Sequence, residues 1–185
     1  MNGGVKLAAR VTISGHPGSG TSTLVSGLCK TLNWTKLNGG ELFRDMANER
    51  GVTLEEFGQQ CMEDDSVDQA LDKLLVETML GDDSPEIVES RLAGWWAYKN
   101  DLQCPRIWVD VSERVRAERV VSREGGSVDE QMELIRERMS YDGSRYSDYY
   151  GIDIASHEPY TCVIKTDDLP IEGVLEHVLQ HLEEF

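Results

Sequence analysis

The chain has 185 residues, 39% hydrophobic and 28% charged, with a formal net charge of −16 at pH 7. That is the make-up of one soluble domain with a sizeable core. No apolar run is long enough to span a bilayer, and so acidic a protein disfavours nucleic acid and anionic membranes as partners. The four cysteines and four histidines are scattered, with no C-x-x-C pair and no metal-ligand spacing; reduced, buried thiols are the expectation. Residues 1–9 read as a short extension without the hydrophobic stretch of a signal peptide, so the expected location is the cytoplasm.

The first predicted strand is Val11–Ser14. It runs into Gly15-His16-Pro17-Gly18-Ser19-Gly20-Thr21-Ser22, and a helical pattern follows over Thr21–Leu32. Strand, glycine loop and helix in that order predict a phosphate-binding P-loop. Glycines let backbone N–H groups turn onto a phosphate, and the helix N-terminus adds partial positive charge. Ser22 stands where a hydroxyl usually holds Mg²⁺. The usual lysine of this motif is replaced by Thr21, so positive charge has to come from elsewhere. A flexible surface turn is the alternative, and the flanking elements argue against it.

Next come a strand over Trp34–Leu37, helices over Glu41–Arg50, Leu54–Met62 and Val67–Met79, and a strand over Glu86–Glu89. Glu89, at the carboxyl end of that strand, faces the ligand crevice of an open α/β sheet and is positioned to hold Mg²⁺ through water; its alternative role is an N-terminal acid for the following helix, Arg91–Asn100. A strand over Arg106–Val111 leads to helices over Glu113–Ser122, with Ser112 as N-terminal signal, and Val128–Tyr141. The strand Tyr160–Lys165 and the helix Ile171–Leu182 complete the chain. Short strands alternating with helices predict an α/β fold, a doubly wound, five-stranded parallel sheet of P-loop NTPase type with helices on both faces.

Arginine outnumbers lysine twelve to six, and eight of the arginines lie between Arg106 and Arg145. Arg116, Arg119 and Arg123, at i, i+3 and i+7, share one helix face, and Arg138 and Arg145 are two turns apart. Gly125-Gly126 separates the two groups as a candidate hinge. Guanidinium groups carried over a phosphate are the expected machinery of phosphoryl transfer. The alternative is a solvated helix in which these arginines pair with nearby acids such as Glu113, Glu118, Glu124 and Asp142.

The chain resembles the nucleoside monophosphate kinases, and within them the archaeal-type cytidylate kinases. The residues that carry the resemblance are Gly18-Ser19-Gly20-Thr21-Ser22-Thr23, Gly39-Gly40-Glu41-Leu42-Phe43-Arg44, Glu49 to Phe57, Glu89-Ser90-Arg91-Leu92-Ala93-Gly94-Trp95, Arg116-Ala117-Glu118-Arg119, Arg145-Tyr146 and Tyr149 to Asp153. Threonine in place of the loop lysine is common in that branch. The resemblance implies reversible transfer of the ATP γ-phosphate to CMP or dCMP with Mg²⁺, giving ADP and CDP or dCDP, by a monomer. It implies one domain over 1–185, with an acceptor-binding segment around 38–80 and a lid around 124–146. Gly15 to Thr23 and Arg119 would bind ATP, and Gly40, Arg44 and Arg91 the acceptor. Arg123, Arg138 and Arg145 would close over the transferring group. Asp65, Asp68 and Asp72 are able to accept from a cytosine amino group, or else form the solvated face of an acidic helix. The chain departs from the family at Asn38, usually serine or alanine, and over Met139-Ser140-Tyr141-Asp142. The rival readings are a kinase of this fold with another acceptor (AMP, UMP or a small metabolite) and a nucleotide-binding interaction protein whose kinase activity has decayed.

Overall fold

The structure, a computed structural model, describes residues 8–53, 56–57, 60–61 and 64–185, leaving out the side chains of Asp65 and Asp68. Its five strands are β1 (Val11–Gly15), β2 (Lys36–Asn38), β3 (Ile87–Glu89), β4 (Arg106–Asp110) and β5 (Cys162–Lys165). They form one sheet in the order β2-β3-β1-β4-β5, with every pairing parallel. The order reverses at β1, and in such sheets a ligand crevice opens beyond the carboxyl ends of the strands at that point.

Each strand alternates between two faces, and each face has its own core. Val11 and Ile13 pack with Ile87, Ile107 and Val109 beneath α1 (Thr21–Leu32) and α7 (Ile171–Glu184), through Leu24, Val25, Leu28, Val174 and Val178. Val88 belongs to the opposite core, with Leu75 and Met79 of α3 (Asp65–Leu80) and Trp95, Trp96 and Ala97 of α4 (Ala93–Lys99). The α4 helix lies close on the sheet because Gly94 has no side chain: a Cβ there would collide with the Tyr160 ring. Its N–H donates instead to the Ser14 hydroxyl at 3.2 Å.

The remaining helices are α2 (Gly39–Glu49), α5 (Glu113–Glu124) and α6 (Val128–Tyr150). The predicted helix Leu54–Met62 lies partly outside the described residues; Glu56, Phe57, Gln60 and Cys61 are helical. Two boundaries differ instructively. The α2 helix starts two residues earlier than its pattern suggests, because the Asn38 side chain accepts from the Glu41 N–H at 2.9 Å and caps it. The α6 helix runs nine residues past the predicted end at Tyr141, because Ile135, Asp142 and Tyr146 continue a buried stripe to the left-handed Gly151 at φ 61°. Ser112 makes no side-chain cap to α5; its backbone N–H donates to Asp167 Oδ1 at 3.0 Å. Between α5 and α6, Gly125 and Gly126 both adopt positive φ, 84° and 91°.

The far end of α6 is tied to α3. The Tyr150 hydroxyl donates to Asp72 Oδ2 at 2.9 Å, and Trp96 meets the Tyr150 ring edge-on with centroids 4.7 Å apart. Burial pushes the Asp72 carboxyl up from 3.8 to about 6, against the hydrogen bond of Tyr150, which pulls it down. A folded-state value above the unfolded one means that the folded state binds the proton more tightly. Stability is therefore favoured below about pH 4 and lost as pH rises through about 6. The difference in unfolding free energy between the wild type and Asp72→Asn should fall by about 2 kcal/mol from pH 4 to 7. Urea titrations at several pH values measure it, and a pH-independent difference would show that Asp72 stays ionised in the fold.

Candidate active site

The loop between β1 and α1 is fixed by its own backbone and from behind. Gly18 and Gly20 have φ of 82° and 89°, a region open to glycine and strained for other residues. A Cβ on Gly18 would also sit 2.8 Å from the Arg116 carbonyl oxygen. Arg116 is buried and donates to the carbonyls of Val111 at 3.2 Å and Pro17 at 3.3 Å. One turn along α5, Arg119 donates to the carbonyls of Ser19 at 2.9 Å and Thr166 at 3.0 Å. Two loop carbonyls thus point to α5 guanidinium groups and away from the cleft, as an anion cradle requires. His16 does not replace the missing lysine. Burial, then the charges of Arg116 and Arg91, lower it to about 4, so the ring is neutral at physiological pH.

Ser22, in the first turn of α1, donates its hydroxyl to Glu89 Oε1 at 2.9 Å. The other carboxylate oxygen, Oε2, accepts from Asn38 Nδ2 at 2.5 Å. Glu89 ends β3 and is 5% exposed. Among the described residues no three His, Cys, Asp or Glu cluster as a protein cage for a metal. A hydroxyl beside one carboxylate at a phosphate loop nonetheless fits Mg²⁺, which keeps several waters and takes its other ligands from phosphate.

A cleft of about 560 Å³ opens beyond β1 and β3. It brings together Gly15, His16, Pro17, Gly18, Thr21, Ser22, Gly40, Arg44, Glu89, Arg91, Arg123 and Arg138. A second cleft of about 540 Å³ shares Gly18, Thr21, Ser22 and Arg123 with the first, and adds Ser19, Gly20, Thr23 and Arg119 together with Leu169 and Ile171. Nearly all the residues expected to handle two nucleotides therefore line two abutting clefts. Asn38, Lys36, Gln131 and Leu134 line the first cleft as well. Sequence reasoning assigned them no role, although Lys36 and Asn38 share a strand face two residues apart and Leu134 and Arg138 lie one turn apart.

Three expected residues behave differently. Asp72 is taken up by Tyr150 and lines neither cleft. The Asp68 side chain lies outside the described residues. Arg145 lines neither cleft; its guanidinium stacks over Tyr146 at 4.5 Å and pairs with Asp142 at 3.7 Å. Asp142 is itself 6% exposed and forms an ion pair with Arg91. Burial, and then the nearby charge of Arg138, lower Arg91 from 12.5 to about 10, which leaves it cationic at neutral pH. The solvated-helix alternative describes Arg114, which pairs with Glu118, and Arg136, which pairs with Glu113 at 2.6 Å; Arg123 pairs with Glu124 while lining both clefts.

Residues 11–142 match a family model described as "AAA domain". The chain is 40% identical over 177 residues to the cytidylate kinase of Pyrococcus abyssi, covering 94% of this chain and 95% of that protein. It is also 40% identical over 166 residues to the cytidylate kinase of Natronomonas pharaonis, covering 89% of this chain and 84% of that protein. Among solved structures, the shikimate kinase of Bacteroides thetaiotaomicron superposes with a TM-score of 0.60 at 15% identity, covering 95% of this chain and 98% of that one. A gluconokinase of Sinorhizobium meliloti gives 0.57 at 15% identity, covering 97% and 94%. At such identities these two likenesses speak for the P-loop kinase fold alone. At 40% identity over nearly the whole of both chains, the chain belongs to the archaeal cytidylate kinase family of nucleoside monophosphate kinases.

Proposed function

We propose that the chain transfers the γ-phosphoryl group of ATP to the phosphate of CMP or dCMP, releasing ADP and CDP or dCDP, as a cytoplasmic monomer. The observation that carries this reading is the pair of abutting clefts joined at Gly18, Thr21, Ser22 and Arg123, with a surplus of arginine on the acceptor side, in a chain of this family. The four cysteines carry free thiols, in keeping with a reducing compartment.

In this reading the donor lies in the cleft beside Arg119, Leu169 and Ile171, with its phosphates on Gly15 to Thr23. The acceptor lies toward α2, its phosphate held by Arg44 and Arg91, with residues 38–80 as the acceptor segment and 124–146 as the lid. An acceptor phosphate oxygen attacks the γ-phosphorus in line. The new P–O bond forms as the bond to the β-bridging oxygen breaks, and ADP leaves. A phosphate oxygen needs no general base, so the protein's work is orientation and neutralisation of charge on the transferring group. Ser22 and Glu89 would hold Mg²⁺, which would supply neutralisation of phosphate charge. Arg123 lines both clefts and Arg138 the acceptor-side one, whereas Arg145 lines neither and is tied to Asp142. The lid charge is therefore assigned chiefly to Arg138 and Arg123.

Base choice is tested by coupled release of ADP across CMP, dCMP, UMP, AMP and GMP. CMP or dCMP should give the highest kcat/KM, and AMP turned over equally fast would transfer the reading to the rival of the same fold. Loss of Arg44 or Arg91 removes a charge-assisted phosphate contact, so alanine at either position should raise KM for the acceptor more than for ATP. Selective loss of ATP affinity would reverse the two clefts. Arg138→Ala should lower kcat about 10²-fold or more, by the measure of lost arginine fingers, with a smaller change in ATP dissociation constant. Arg123→Ala should follow it, and Arg145→Ala should act more weakly. Near-normal kcat in all three, in variants that remain folded, would remove the lid arginines from the mechanism.

A further inference from the structure

We propose that Asn38 is a positioning residue for the metal: its amide fixes the Glu89 carboxylate and ties that carboxylate to the helix that carries Arg44. The inference rests on the kinase reading above.

The geometry is a fork. Asn38 Oδ1 accepts from the Glu41 N–H at 2.9 Å, and Asn38 Nδ2 donates to Glu89 Oε2 at 2.5 Å. The reverse orientation of the amide would face its NH₂ to the Glu41 N–H and its oxygen to the carboxylate, repulsive at both ends, so the network determines the assignment. Glu89 Oε1 is meanwhile bound by the Ser22 hydroxyl at 2.9 Å. Each carboxylate oxygen thus has a fixed donor. The carboxylate plane cannot turn freely, and its remaining lone pairs are left to accept from water. The close fit of the α2 N-terminus depends on its two glycines: a Cβ on Gly40 would lie 3.1 Å from Asn38 Oδ1, and one on Gly39 would lie 3.0 Å from Ser90 Cβ. Serine at position 38 would cap α2 as well but is one atom group too short to reach Glu89. An amide here therefore adds a function that capping alone does not need. Partners of this kind, which orient a metal ligand, typically change metal affinity or activity by 10–100-fold when removed.

Asn38→Ser keeps the cap and removes the bond to Glu89. We expect an unchanged melting temperature within a few degrees, as capping is retained. Calorimetric titration of ADP with and without Mg²⁺ reads the metal contribution directly, without turnover. The tightening of ADP by Mg²⁺ should be reduced about 10-fold in the variant, with metal-free ADP affinity unchanged. In a Glu89→Gln background the same substitution should have no further effect on that ratio. An unaltered Mg²⁺ ratio in Asn38→Ser, or equal losses with and without metal, would overturn the proposal while leaving CMP phosphorylation by the wild type intact. Conversely, a wild type that fails to phosphorylate CMP but shows the reduced ratio in the variant would refute the kinase reading and keep Asn38. Should Asn38→Ser unfold, Asn38→Thr, a capping residue of different shape, carries the same measurement.

Discussion

Everything at the cleft depends on how the P-loop is held without its lysine. Carbonyl groups of Pro17 and Ser19 are bound from behind by Arg116 and Arg119, one turn apart on α5. The two guanidinium groups do different work from a loop lysine. They act on the loop backbone rather than on the phosphate, orienting peptide dipoles and adding positive potential behind the cradle. Charge that must meet the transferring phosphoryl group is thereby left to the cleft-lining arginines. Arg123 extends from the same α5 face, and Arg138 stands on α6 across Gly125-Gly126. One helix face thus serves both the rigid loop and the charged rim.

Much of this was legible beforehand because it rests on local rules. The glycine pattern fixes a loop with positive φ, alternation of short strands and helices fixes a parallel sheet, and the i, i+3, i+7 spacing of Arg116, Arg119 and Arg123 fixes a common face. The roles within that face were less legible. Which arginine is buried under the loop and which reaches the cleft depends on the distance between α5 and β1, and no spacing encodes that. Arg145 and Asp72 show the same limit. Each has the right residue type in the right segment, but Arg145 is held by Tyr146 and Asp142, and Asp72 by Tyr150. Those tertiary partners lie on the stretch of α6 beyond Tyr141, where the apolar periodicity of the sequence fades. Lys36 escaped notice for a related reason: its strand is only three residues long, too short for alternation to be read with any force.

The first cleft is organised around a carboxylate that is already engaged. Glu89 joins β3 to α1 through Ser22 and to α2 through Asn38. Three elements from separate parts of the chain therefore converge on one buried side chain, at the point where the strand order reverses.

The Arg91–Asp142 ion pair has a consequence of its own for the electrostatics of the cleft. Arg91 is too deeply buried to stand as a lone cation at low cost, and the Asp142 carboxylate neutralises it from within the fold. That carboxylate is tethered, so its effective concentration at Arg91 far exceeds that of dilute ions in solution. A free inorganic phosphate that reached Arg91 would have to displace Asp142 and would bring few other contacts with which to do so. A nucleotide would bring its sugar and base as well. An internal partner of this kind sets a higher threshold for small anions than for larger ligands.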